Sequence, residues 1–140
     1  MNYNAAFFGL FENVFRLLKK EYGQDVALSH FSELMEQGLS KSYGDSFEKG
    51  DPKYFENLVG ERDKLVGLRV EFPQVSSDKI IYRFLDDPFP NLKNEVESNL
   101  LDKCYMQFKV KYLLGDDWQY KTNKHLWNGD EYTEHEIYRK

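Results

Sequence analysis

The chain has 140 residues, of which 41% are hydrophobic and 16% aromatic, with 19 basic against 24 acidic side chains and a mean hydropathy of −0.71. That length bounds it to one domain over 1–140, able to bury roughly two-thirds of its unfolded surface. The apolar content excludes a disordered segment, and a formal charge of −5 excludes the overall positive field that nucleic acid or an anionic membrane requires. The one cysteine, Cys104, excludes an intrachain disulfide and a cysteine-built zinc site and fits a reducing compartment; with no apolar run of about 18 residues, the chain reads as soluble and cytoplasmic.

Phe7, Leu10, Phe11, Val14, Phe15, Leu18 and Tyr22 recur at steps of three and four, which predicts a helix with one apolar face, stopped by Gly23. Ala27, Leu28, Phe31, Leu34, Met35 and Leu39 continue the spacing in a second helix over 24–42, whose last turns Gly38 weakens. After the polar "GDSFEKGDP", Asp51 supplies a capping carboxylate before Pro52 at the first helical position. Phe55, Leu58, Val59, Leu65 and Val66 then predict a third helix up to Gly67.

There the period falls from 3.6 to 2. Leu68, Val70 and Phe72 alternate with polar residues, "PQVSSD" reads as a turn, and Ile80, Tyr82 and Phe84 alternate again, so two antiparallel strands are expected. "DDPFPN" lacks two amide donors and is a loop, with Asn91 as the cap of a fourth helix over 92–114. Its stripe is Val96, Leu100, Leu101, Cys104, Tyr105, Phe108 and Tyr112, and Gly115 ends it. "WQYKTNKHLW" and "EYTEHEIY" flank Asn128-Gly129 as a closing hairpin. Three helices, two strands, a helix and two strands make an α+β fold, α-α-α-β-β-α-β-β, with a four-stranded, mainly antiparallel sheet packed on helices.

The hairpin register decides which side chains meet. A three-residue loop at 128–130 pairs His125 with Thr133 and Asn123 with His135, placing Trp127, His125, Thr133, His135 and Ile137 on one face. A two-residue Asn-Gly loop pairs His125 with Tyr132 and turns His135 to the other face. Two imidazoles on neighbouring strands are able to ligate a metal with Glu131 or Asn123, yet no HxH, HExxH or paired-cysteine spacing is present, so no metal and no cofactor is assigned. Cys104 lies on the apolar stripe as a packing residue; lining a cavity instead, it is a candidate partner for a hairpin histidine in a Cys-His pair. Asp86-Asp87 and Asp116-Asp117 are carboxylate pairs at element ends, ordinary turn choices rather than an acid-base site.

"FFGLFENVFRLLKKEYGQD", "LVGLRVEFPQVSSDKIIYRFLDDPFP" and the closing "GDEYTEHEI" resemble the L-2-amino-thiazoline-4-carboxylic acid hydrolase-like family over about Phe7 to Ile137, most specifically at Gly129, Asp130 and Tyr132. That family is similar in turn to 4-vinyl reductase, haem-NO-binding and transport-particle domains. The resemblance implies an α+β fold that encloses a small hydrophobic ligand. Thr133 stands where the family's closing cysteine is expected, His135 where phenylalanine is, and Asp86 or Asp87 where a cysteine often precedes Pro88. Those replacements remove the thiols of a cysteine-dependent ring opening, leaving the scaffold and its cavity.

Three functional readings follow. The first is a sensor-like domain that holds a small organic molecule near Trp127, Tyr132, Thr133, Tyr105 and Phe108. The second is a hydrolase of a cyclic amide or thiazoline-type substrate, with His125, His135 and Cys104 as candidate catalytic residues. The third is a non-catalytic module that self-associates, as a homodimer, through exposed aromatics such as Trp118 or Trp127.

Overall fold

The computed structural model describes residues 3–140. Its elements are α1 (Ala5–Tyr22), α2 (Gln24–Tyr43), α3 (Pro52–Leu65), β1 (Val70–Val75), β2 (Lys79–Phe84), α4 (Ser98–Leu113), β3 (Trp118–Lys124) and β4 (Thr133–Arg139). Short 3-10 turns, Pro90–Leu92 and Leu126–Asn128, precede α4 and β4. The expected α+β order is present, and the sheet is antiparallel throughout in the order β1-β2-β4-β3.

Local chemistry explains the helix ends. The Asn4 carboxamide accepts from the Phe7 amide at 3.1 Å to start α1, and the Asp51 carboxylate accepts from the Lys53 amide at 2.9 Å to start α3 beside Pro52. Gly23 and Gly115 follow α1 and α4 with φ of +93° and +102°, backbone that other residues rarely adopt.

The buried face of α1 is rotated from its apolar stripe. Phe8, Glu12 and Phe15 are buried, whereas Leu10 and Tyr22 stand in solvent. Glu12 accounts for the rotation: its carboxylate accepts from the Asn91 amide at 2.8 Å and from the Asn91 side chain at 3.0 Å, pinning the 85–97 loop to α1. Asn91 is thereby engaged and does not cap α4. That helix begins at Ser98 rather than Leu92, because the chain first makes a 3-10 turn that buries Leu92.

β1 does not end at Pro73. It runs to Val75, with the register shifting between Glu71 and Gln74 so that the proline falls where no ladder donor is needed. On the inner face of the sheet Ile80, Tyr82 and Phe84 of β2 alternate with outward residues, as do Thr133, His135 and Ile137 of β4. The outer face carries charges instead, with Arg83 held by Glu134 at 2.8 Å and by Glu71 at 3.3 Å.

Helix α4 lies between α2 and the sheet and is buried on more than one side. Leu101, Cys104, Tyr105, Met106, Val110 and Leu113 are all buried. Each such side chain contributes about 2 kcal/mol of burial relative to exposure. Asp102 and Lys109 are buried with them, at 5% and 4% exposure. Seven residues apart, with Tyr105 between, they share the face turned to the sheet.

Candidate ligand-binding site

At one end of this face Lys109 Nζ donates to Tyr82 Oη at 3.2 Å, and Tyr82 in turn donates to the Asp63 carboxylate. Lys109 and Asp63 face each other at 3.8 Å. The ammonium is enclosed by the rings of Tyr82, Phe84 and Tyr105, whose centroids lie 5.3, 5.6 and 5.4 Å away. Burial pushes the Asp63 carboxyl above its ordinary range and the Lys109 amine below its own, each opposed by the other's charge.

Beside this group opens a cavity of about 380 Å³ between α1, α2, the end of α3 and the sheet. Its wall includes Phe8, Phe11, Met35, Leu68, Phe84 and Phe89, and its inner end holds Asp63, Lys109, Tyr105 and Tyr43. The mouth is apolar, with Phe7, Leu34 and Leu65 left 40%, 39% and 54% exposed. Tyr43 is buried, yet its hydroxyl has no hydrogen-bond partner among the described residues. Burial, reinforced by the Asp63 charge, pushes that hydroxyl's pKa well up, so it remains a donor at all ordinary pH.

At the other end of the face lies Asp102. Its carboxylate accepts from Tyr105 Oη at 3.0 Å and from His125 Nε2 at 2.9 Å, and His135 Nε2 approaches to 3.9 Å. His125 Nδ1 accepts from the Trp127 amide at 3.0 Å, so both nitrogens of that ring are engaged. His135 is fully buried among the rings of Tyr82, Phe84 and Tyr120, with Thr122 Oγ1 on its Nδ1 at 2.9 Å. Desolvation pulls its pKa down to about 4, so the imidazole is neutral. Asp102, Tyr105, His125, Trp127 and Thr133 enclose a void of about 10 Å³, room for one water molecule.

His125 and His135 therefore converge, with Tyr105, Trp127 and Thr133, on Asp102. Cys104 does not join them: its thiol donates to the carbonyls of Leu28 and Leu100, on the α2 side of the helix, and burial raises its pKa. Tyr132 lies on the outer face of the sheet under Arg83, at 4.3 Å, and Phe108 stacks on Tyr112 at 5.0 Å. Of the ligand-binding residues expected from the sequence, only Tyr105 lines the 380 Å³ cavity. Trp118, expected as an exposed aromatic, is 4% exposed, and Trp127 is half-buried with its indole N–H on Asp87 at 2.6 Å. The carboxylate pair splits, since Asp86 is saturated by the Arg69 guanidinium and amide.

Neither hairpin register is realised as expected. Thr122 stands opposite His135 and Lys124 opposite Glu134, with Asn123 in a bulge. A wide 125–132 loop replaces the tight turn because side chains hold it open: Asp130 accepts from the His125 amide at 2.9 Å and Thr133 Oγ1 from the Leu126 amide at 3.1 Å. Gly129 supplies the left-handed position with φ +89°.

The architecture is an α+β fold in which helices cover one face of a four-stranded antiparallel sheet and leave a cavity against it. Among solved structures the chain is similar to the phenol-responsive sensory domain of the transcription activator PoxR, determined with phenol. The TM-score is 0.59 at 13% identity, over 98% of this chain and 74% of that one, a likeness of fold. No family model matches the sequence, and no curated protein matches it significantly.

Proposed function

We propose that this chain is a sensor-like domain that binds a small, largely apolar organic molecule carrying one hydrogen-bonding head. The observation that carries the reading is the 380 Å³ cavity, apolar along its wall and ending at a buried Tyr43 hydroxyl with no partner. A buried hydroxyl left without a bond costs about 1–3 kcal/mol, and an oxygen on the ligand recovers that cost. A volume within the usual range for small-molecule sites, and a mouth of exposed apolar side chains, favour the same ligand class. The fold shared with a phenol-responsive sensory domain supports it further. So does the resemblance to the thiazoline-carboxylate hydrolase-like family, of which this chain keeps the scaffold without the thiols at Thr133 and at Asp86-Asp87.

Hydrolysis by the histidines has less support, because a general base needs a free lone pair at the substrate. His125 has none free, and His135 is sealed inside the core. The test is native mass spectrometry of the purified chain, followed by calorimetric titration with neutral bicyclic aromatics that do or do not bear an oxygen. Retention or binding of oxygen-bearing members in preference to the bare hydrocarbon is expected. Failure of the whole set to bind would end the reading.

A further inference from the structure

We infer that Lys109 captures an aldehyde-bearing ligand covalently, as an imine at the inner end of the cavity; the inference rests on the ligand-binding reading above. Lys109 is 4% exposed, in the middle of α4, and still lines the cavity. Among the described residues its nitrogen makes one hydrogen bond, to Tyr82 at 3.2 Å, and faces the Asp63 carboxylate at 3.8 Å and the rings of Tyr82, Phe84 and Tyr105. An ammonium has three donors to satisfy, and a neutral amine has fewer and gains a lone pair.

Tyr82 connects the amine to Asp63, the acid it faces among the described residues. It accepts from Lys109 and donates to Asp63, so one hydroxyl relays a proton from ammonium to carboxylate. Desolvation works toward that transfer on both partners, raising the carboxyl and lowering the amine, and the attraction between the two charges works against it, so the relay gives the buried nitrogen a route to its neutral form. A lysine kept neutral in an apolar pocket is a nucleophile toward carbonyl carbon.

The step balances without any further reactant. The Nζ lone pair forms a bond to the aldehyde carbon as the C=O π bond breaks, and one of the two nitrogen protons passes to the carbonyl oxygen. The resulting carbinolamine gives up a proton from nitrogen and its hydroxyl group, which leave together as water. One aldehyde and one amine become one imine and one water. Tyr43 offers the unpartnered O–H in the same cavity for the carbonyl oxygen, and Asp63, loaded through Tyr82, offers the acid that the departing hydroxyl needs.

The test uses the whole chain with 2-naphthaldehyde at neutral pH, reduction by cyanoborohydride, and peptide mapping by mass spectrometry. Cavity occupancy is followed in the same samples through the neutral dye N-phenyl-1-naphthylamine. One naphthylmethyl group on Lys109 is expected, with exposed lysines unlabelled and the label lost when excess 2-naphthalenemethanol fills the cavity. Dye displacement by the aldehyde without label on Lys109 overturns the imine and leaves the cavity reading intact, as does label spread over surface lysines and indifferent to the alcohol. Absence of both dye uptake and label overturns the two together. Because Lys109→Met alone leaves the Asp63 carboxyl without its partner, the control is Lys109→Met with Asp63→Asn, which should keep dye binding and lose all specific label.

Discussion

Asp102 and His125 meet in the interior, carboxylate oxygen to Nε2 at 2.9 Å, while the other nitrogen of the same ring accepts from the Trp127 amide at 3.0 Å. Since Nδ1 is an acceptor, Nε2 carries the proton and donates, and the tautomer is fixed by the loop that the ring supports. The pair joins α4 to the β3–β4 connection. Asp102→Ala should therefore destabilise the fold by about 3 kcal/mol, leaving His125 and Tyr105 without their acceptor, and Asp102→Asn by less. Urea unfolding checks this; equal midpoints for the parent and Asp102→Ala would contradict it.

His135 makes stability depend on pH in a defined window. Its pKa is about 4 in the folded chain against an ordinary 6.5, so the unfolded chain binds more protons between those values and stability rises with pH there. Falling from pH 6.5 toward 4, the fold should lose up to roughly 3 kcal/mol through this group. In His135→Phe, a ring that cannot titrate stands among Tyr82, Phe84 and Tyr120, and that part of the slope should vanish. Thermal melts of both proteins across the window decide it.

Gly38 lies in α2 on the rim of the cavity, and a Cβ added there meets no atom within 4 Å. Gly38→Leu should leave stability unchanged or raise it by about 0.5–1 kcal/mol through helix propensity. It should also weaken ligand uptake by filling the mouth. A variant as stable as the parent that binds equally well would place the ligand elsewhere.

Tyr43→Phe removes the hydroxyl that has no partner. The ligand-free protein should be more stable, by about 1–3 kcal/mol, because the hydroxyl is buried without a bond. Affinity for an oxygen-bearing ligand should fall about tenfold, the worth of one such bond, with little change for the bare hydrocarbon. Calorimetry on the matched pair separates the two effects.

Lys109 and Asp63 should behave as one unit. Lys109→Met or Asp63→Asn alone leaves the other buried ionisable group without its counterpart and should cost about 3 kcal/mol, whereas the double variant should be much closer to the parent. Additive losses in the double-mutant cycle would show that the two groups do not interact.

Elements were legible in the sequence where caps and periodicity agreed. Asp51-Pro52 and the glycines after α1 and α4 mark boundaries that the fold respects within a residue or two. The site was less legible, because a charged residue in a helix ordinarily means a solvated face. Asp102 and Lys109 invert that rule on a helix enclosed by α2 and the sheet, and apart from Tyr105 their partners come from α3, β2 and the β3–β4 loop, none near in sequence. The available signal was their spacing, seven apart about Tyr105 within an apolar stripe. Glu12 misled in the same way, its burial depending on Asn91, which lies 79 residues further on. Hairpin register failed for a different reason, since the Asp130 and Thr133 side chains outweighed the turn preference of Asn-Gly.

Both margins of the sheet are blunted. Pro73 sits in a bulge on β1, and β3 carries Lys121, Lys124 and the bulged Asn123 along its outer run. A strand from another molecule would find an interrupted row of amides on one flank and ammonium groups on the other. Crowded copies of this chain are thus guarded against cross-strand polymerisation.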